Sequence, residues 1–153
     1  MSKQRPVTSA AVPFATTMHV RDHCLCLAAQ RAARTLARRF DEALRPAGLT
    51  SGQFSLLMSL NQPQLPSIGA VAGLLAMDRT TLTANLKPLE RRGLVTTTID
   101  PDDRRGRLVS LTKAGKTVLR AAVPIWRRAH KEIDGLLSPT DGKVLRGGLR
   151  ALS

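Results

Sequence analysis

Apolar residues recur at helical spacing through most of this chain, and the breaks in that spacing divide it into elements. Over residues 22–45, Leu25, Ala28, Ala29, Ala32, Leu36, Phe40 and Ala43 form one stripe, with Arg31, Arg34, Arg38 and Arg39 elsewhere. This predicts an amphipathic helix stopped by Pro46 and Gly48. Thr50 then caps a helix carrying Phe54, Leu57 and Met58, which ends before a loop at 61–66. Ser67 caps the next, with Ile68, Val71, Ala72 and Leu75 at the i, i+3, i+4 and i+7 positions of one buried face and an end near Met77. Asp78 caps a fourth, because its carboxylate accepts orphan N–H groups at the positive end of the helix dipole; Arg79 is then the first helical residue. In it Leu82, Leu86 and Leu89 share a narrow arc, and Thr80, Ala84, Lys87 and Arg91 lie opposite. Pro88 predicts a kink near its end, Gly93 a left-handed stop, and Arg91 and Arg92 complement the negative end of the dipole.

The period then changes. VTTTI is rich in β-branched residues and RLVSL alternates weakly, with Asp100-Pro101-Asp102-Asp103 and Gly106 between them, so a hairpin with a long tip is expected. Beyond it Thr112 caps a long helix with Leu119, Val123, Trp126, His130, Ile133 and Leu137 recurring every third or fourth residue, bent at Pro124. Ser138-Pro139-Thr140-Asp141 opens a last helix with Val144, Leu145, Leu149 and Leu152 inward. The expected fold is mainly α with a small β hairpin: a winged helix-turn-helix whose N- and C-terminal helices form a dimerisation region. Residues 22–153 make one domain, with a lobe at 50–112 and dimerisation helices at 22–46 and 113–153. Residues 1–21, with Lys3, Arg5 and Arg21 but no acid and otherwise mostly Ser, Thr, Pro and Ala, read as a flexible arm. The terminal helical segments are too apolar for so small a domain to cover, so a second chain is expected against them.

That order of elements points to double-stranded DNA. A helix with short polar and basic side chains outward can press into a major groove, where Thr80, Thr81, Thr83 and Lys87, with Arg79 at the helix start, reach base edges or phosphates. Arg104, Arg105 and Arg107 at the hairpin tip suit a narrow minor groove, with Asp103 pairing with Arg105 to orient it. For an isolated charge run a solvated loop is the better reading; the position directly after a helix-turn-helix reverses that preference.

Composition agrees. The chain has 153 residues and a net charge of +13, and eighteen of its twenty-four basic residues are arginine, which favours bidentate recognition of phosphate. An acidic membrane surface is the competing partner, but no stretch approaches the roughly 20 apolar residues of a spanning helix, and the first residues lack the apolar core of a secretory signal. The cytoplasm is the expected compartment. No acid/base set, phosphate-binding glycine loop or nucleophile motif is present, so neither an enzyme nor a cofactor is expected.

The pattern resembles the MarR (multiple antibiotic resistance regulator) family. Asp103-Arg104-Arg105 followed by Leu111-Thr112 is similar to the family's D-x-R, five residues, L-T. Gly48-Leu49-Thr50 with Gln53-Phe54 carries the resemblance too, as does the run from Asp78-Arg79-Thr80-Thr81-Leu82-Thr83 to Leu89-Glu90-Arg91-Arg92-Gly93-Leu94-Val95. It covers roughly residues 22–153 and implies an obligate homodimer on a pseudo-palindromic operator, with recognition helices in the major groove and wings in the flanking minor groove. It implies a repressor released by a small, often aromatic, effector or by oxidation of a cysteine. The effector crevice implied by the family directs attention to Arg31, Arg34, Phe54 and Trp126, an arginine there being able to hold a carboxylate.

His19, His23, Cys24 and Cys26 form the other unusual cluster. On a helix running continuously from residue 22 the two cysteines stand about 200° apart, too far round to share a metal or a disulfide, and the spacing matches no zinc motif. His19 and His23 share a face only if the helix begins earlier. Cys26 stands at an offset before Gly-Leu-Thr similar to the reactive cysteine of the organic-hydroperoxide branch. That branch has tyrosines around its thiolate and Tyr-Pro-Gln-Tyr after Leu-Thr, whereas this chain has no tyrosine and reads Ser51-Gly52-Gln53-Phe54. Packing is therefore expected of the cysteines ahead of sensing. A redox-sensing repressor using Cys26 and a general basic nucleic-acid-binding protein are the alternatives to the ligand-released repressor.

Overall fold

A computed structural model describes residues 11–153. The element order is α1 (Phe14–His23), α2 (Leu25–Leu44), a 3-10 turn (Arg45–Ala47), α3 (Ser51–Ser59), α4 (Ile68–Leu74), α5 (Arg79–Arg91), β1 (Val95–Ile99), β2 (Arg107–Leu111), α6 (Lys113–Asp134) and α7 (Pro139–Ala151). It forms two compact bodies, divided after Leu36.

The first body corrects two expectations. The second part of the stretch read as a flexible arm is helical, α1 following Pro13; its residues 1–10 lie outside the described residues. The helix carries no apolar stripe and buries nothing, so hydrophobic periodicity could not reveal it. Helix α2 also does not continue from residue 22: Cys24 is extended (ψ 108°) and separates the two helices. Its Sγ accepts the Leu27 N–H at 3.4 Å, taking the place of an N-cap oxygen on α2.

In the second body, α3 to α6 and the hairpin enclose one core of Leu44, Leu49, Phe54, Leu56, Leu57, Leu60, Val71, Ala72, Leu82, Leu86, Leu89, Leu94, Val95, Val109, Leu119 and Ala122. The caps that fix its helices are local. Thr50 and Gln53 form a reciprocal capping box on α3, Ser67 accepts from the Ala70 N–H on α4, and Thr112 accepts from the Gly115 N–H on α6. Thr112 also donates its hydroxyl to the Gly93 carbonyl (2.6 Å), tying the end of α5 to the start of α6.

Helix α4 is shorter than expected, and its exit has a definite form. The Met77 N–H bonds to the Ala72 carbonyl and the Ala76 N–H to that of Gly73, a Schellman closure with Ala76 at φ 51°. An alanine in that left-handed conformation is unusual, which is why the stop is invisible in the residue pattern. Helix α5 ends the same way with the expected glycine: Gly93 has φ 67° and the Leu94 N–H reaches the Leu89 carbonyl. Pro88 lies within α5, which continues through it to Arg91.

The hairpin pairs Val95 with Leu111 through Ile99 with Arg107 in antiparallel register. A third short segment joins it: the Val109 N–H bonds to the Pro66 carbonyl, and Ser67 bridges Leu108. The loop before α4 is thus pinned to the wing, which sets the position of the helix-turn-helix against the hairpin.

After the hairpin, α6 runs unbroken past Pro124 and α7 follows the Ser138 cap. Val144, Leu145, Leu149 and Leu152, expected to face inward, are exposed within the single chain. The physical reason is the one that predicted a partner: no element of the second body covers them.

Candidate nucleic-acid interface

Helix α5 presents its polar face because its apolar arc is fully consumed by the core, with Leu82 and Leu89 at 0% exposure. On the outer face Arg79, Thr80, Thr83, Ala84 and Lys87 line one shallow hollow. Thr83 donates its hydroxyl to the Arg79 carbonyl (2.7 Å), which fixes the rotamer and leaves the oxygen's lone pairs outward. The Arg79 guanidinium lies over Gly69 of α4, where an added Cβ would meet its Nη2 at 2.9 Å.

Thr81 does not belong to that hollow. Its N–H and its hydroxyl both donate to the Asp78 carboxylate (2.8 and 2.7 Å), so the side chain is held at the helix start. These two bonds, the hydroxyl's first, hold the Asp78 carboxyl below the usual carboxylate range. Because the folded value is depressed, the cap's contribution is present above the unfolded pKa and is lost as pH falls through the folded one. Asp78→Asn retains a capping oxygen without the charge. Urea midpoints measured between pH 7 and pH 3 should therefore fall less steeply for this variant than for the parent. Asp41 keeps its own acid dependence, its carboxyl lowered chiefly by the Ser51 N–H at 2.6 Å.

The wing tip sorts its charges. Asp100 and Asp103 turn their carboxylates onto the backbone N–H groups of Asp102 (2.9 Å) and Arg105 (3.0 Å). Asp103 therefore orients the Arg105 backbone, correcting the expected side-chain pairing: the Asx turn satisfies the carboxylate within two residues. Arg107 has backbone partners within the tip. Its Nη1 donates to the Arg104 and Gly106 carbonyls (3.3 and 3.0 Å) and so closes the tip. Arg104 and Arg105 are left exposed, their guanidiniums without an ion pair among the described residues.

Of the four expected effector residues, the structure brings two together. Phe54 and Trp126 stack at 5.9 Å between centroids and 19° between planes. They line a hollow of about 560 Å³ with Met58, Leu74, Leu75 and Val123. Arg31 and Arg34 are exposed on α2 in the first body, Arg34 donating to Gln30 (3.1 Å), and the arginine lining the hollow is Arg127. Sequence reasoning missed it because helical spacing says which residues share a face, not which face meets α3. Asn85, also missed, lies off the recognition face with its amide against the Met77 sulfur.

Both cysteines are free thiols, Cys24 half-buried and Cys26 exposed with its sulfur accepting from Gln30. His19 and His23 do share a face of α1, their rings stacked at 4.2 Å. Among the described residues no group of three His, Cys, Asp or Glu could hold a metal ion, and no helix is long and apolar enough to cross a membrane.

A capped helix-turn-helix buttressed by a hairpin with outward arginines defines a winged-helix DNA-binding regulator. The chain belongs to the MarR family: residues 49–106 match its family model. The transcriptional activatory protein BadR of Rhodopseudomonas palustris is 34% identical over 113 residues, covering 71% of this chain and 65% of BadR, so the match spans slightly under two thirds of that relative. The M. tuberculosis transcriptional regulator MosR, solved in complex with DNA, is 35% identical over 84% of this chain and 96% of its own, with a TM-score of 0.73. The transcriptional repressor CouR, solved on a 23-mer DNA duplex, is 29% identical with a TM-score of 0.78 over 88% of this chain and 96% of its own, and CouR from Rhodococcus jostii RHA1, solved bound to p-coumaroyl-CoA, is 25% identical with a TM-score of 0.74 over 86% of this chain and 92% of its own. These relatives are transcriptional regulators, not enzymes.

Proposed function

We propose that the protein is a homodimeric repressor that holds a pseudo-palindromic operator with two copies of α5 and the wing, and releases it when a small aromatic-bearing molecule fills the hollow beside Trp126. On this reading Arg79, Thr80, Thr83 and Lys87 meet the major groove and Arg104 and Arg105 the minor groove. Thr81, Asp103 and Arg107 act one step back, by shaping the helix start and the wing tip.

The observation that carries the reading is the uncovered apolar row at the C-terminus. Leu136, Val144, Leu145, Leu149 and Leu152 are between 45% and 70% exposed. Leu145, Leu149 and Leu152 fall at i, i+4 and i+7 of one face of α7, the spacing of a helix that packs on another. A contiguous apolar surface of this kind is what a twofold interface buries. The effector part rests on the walls of the hollow, which come from α3, the end of α4 and α6. An occupant contacts the first helix of the DNA-reading pair and the helix leading to the apolar row at once, and can favour one spacing of the two reading heads over another.

The double substitution Leu145→Asp/Leu149→Asp tests it. Sedimentation should report a monomer, and operator binding should fall to that of a single half-site, while far-ultraviolet circular dichroism stays helical. A variant that remains dimeric with operator affinity intact would remove this row from the interface.

A further inference from the structure

The hollow beside Trp126 continues along α6. A second space of about 430 Å³ adjoins it and shares Met58, Val123 and Arg127, its far end lined by Asn61, Lys116, Leu119 and Arg120. Each space is within the size of small-molecule sites, and together they make a trough with one apolar, aromatic end and one cationic end.

The cations are ordered. Lys116, Arg120 and Arg127 fall within about 40° of one another around the helix axis. None of the three has an ion pair among the described residues, and α6 has no carboxylate before Glu132. Arg120 and Lys116 lie six and ten residues before Trp126, roughly 9 and 15 Å along the helix.

We propose that the trough takes a two-part ligand: an aryl or acyl head against Phe54 and Trp126, joined through a linker to a phosphate-bearing tail held by Lys116 and Arg120, the chemistry of a coenzyme A thioester. The proposal rests on the hollow being the effector site. A benzoate-sized acid fills the apolar end and reaches Arg127 at most; it leaves the two distant cations unused. Several cations along one trough match several phosphate oxygens, arginine by its fork and lysine as a point charge.

Calorimetric titration of the full-length protein with benzoyl-CoA, benzoate and coenzyme A separately, alongside emission from Trp126, the sole tryptophan, tests it. Benzoyl-CoA should bind at least roughly tenfold more tightly than either fragment, as a pair of charge-assisted contacts implies. Lys116→Ala/Arg120→Ala should reduce benzoyl-CoA to the affinity of benzoate and leave benzoate unchanged. Lys143→Ala/Arg150→Ala, which removes the same charge from α7, should change neither. Equal binding of benzoate and benzoyl-CoA with both altering Trp126 emission would overturn the two-part ligand and leave the effector hollow standing. Equal weakening by the two double variants, or coenzyme A binding as tightly as its thioester, would reduce the effect to general charge attraction and overturn the proposal. If no probe alters Trp126 emission, the effector hollow fails, and this proposal with it.

Discussion

Gly115→Ala should be the most destabilising single-methyl change in this chain, lowering unfolding free energy by about 3 kcal/mol or more. An added Cβ would stand 2.0 Å from the Leu94 carbonyl oxygen, and the obstacle is backbone. That carbonyl also accepts the Thr112 N–H, so it cannot move without loosening the start of α6. One and two turns further on, Leu119 and Ala122 are in the core, and Leu94 itself leads into β1. A shift therefore spreads to the core and to the base of the wing. Against a total stability on the order of 5–15 kcal/mol the loss is large. Urea unfolding followed by circular dichroism checks it, with Gly52→Ala as the control. Nothing lies within 4 Å of a Cβ there, and in the first turn of α3 the added methyl should be neutral or stabilise by under about 1 kcal/mol. Similar midpoints for the two variants would contradict the packing described at the start of α6.

The second large effect is expected at the wing. Arg104→Ala/Arg105→Ala should weaken operator binding roughly a hundredfold, because the proposed dimer would lose two guanidiniums from each wing and each charge-assisted hydrogen bond contributes about 1 kcal/mol or more. The slope of log affinity against log salt should become shallower by about 0.9 for each phosphate that is no longer neutralised. Arg107→Ala is expected to act differently, since its guanidinium holds the Arg104 and Gly106 carbonyls. It should loosen the tip, visible as faster amide exchange at 104–106, and weaken binding through that disorder. Fluorescence anisotropy with a labelled operator across salt concentrations separates the two cases. Unchanged affinity in the Arg104/Arg105 double variant would remove the wing from DNA recognition.

Much of the fold is legible in the residues because it is local chemistry. Thr50, Ser67, Asp78, Thr112 and Ser138 cap their helices where the residue pattern places them, since a cap needs only its own side chain and the third amide beyond it. Gly93 likewise declares the end of α5. What escapes depends on partners distant in sequence or on an atypical residue. Ala76 adopts a conformation usually left to glycine, so α4 ends three residues before the expected position. Gly115 looks unremarkable in a helix until Leu94 is found against it; the only available signal is a glycine three positions after the Thr112 cap. The bond from Val109 to Pro66 gives the wing a third edge that a loop rich in Pro and Gln does not announce. The charged tip is legible as a whole but not in its parts. Composition cannot tell an arginine that closes a turn from one that faces outward.

On the proposed function, two copies of α5 and the wing read one symmetric site. Selection of bound duplexes from a random library tests it most directly. The prediction is two inverted half-sites with centres about one helical turn, 10–10.5 base pairs, apart or a multiple of that, flanked by a narrow-groove A/T preference that fades when Arg105→Ala is used in the selection. Recovery of a single unpaired half-site, or of no enriched sequence at physiological salt, would contradict it.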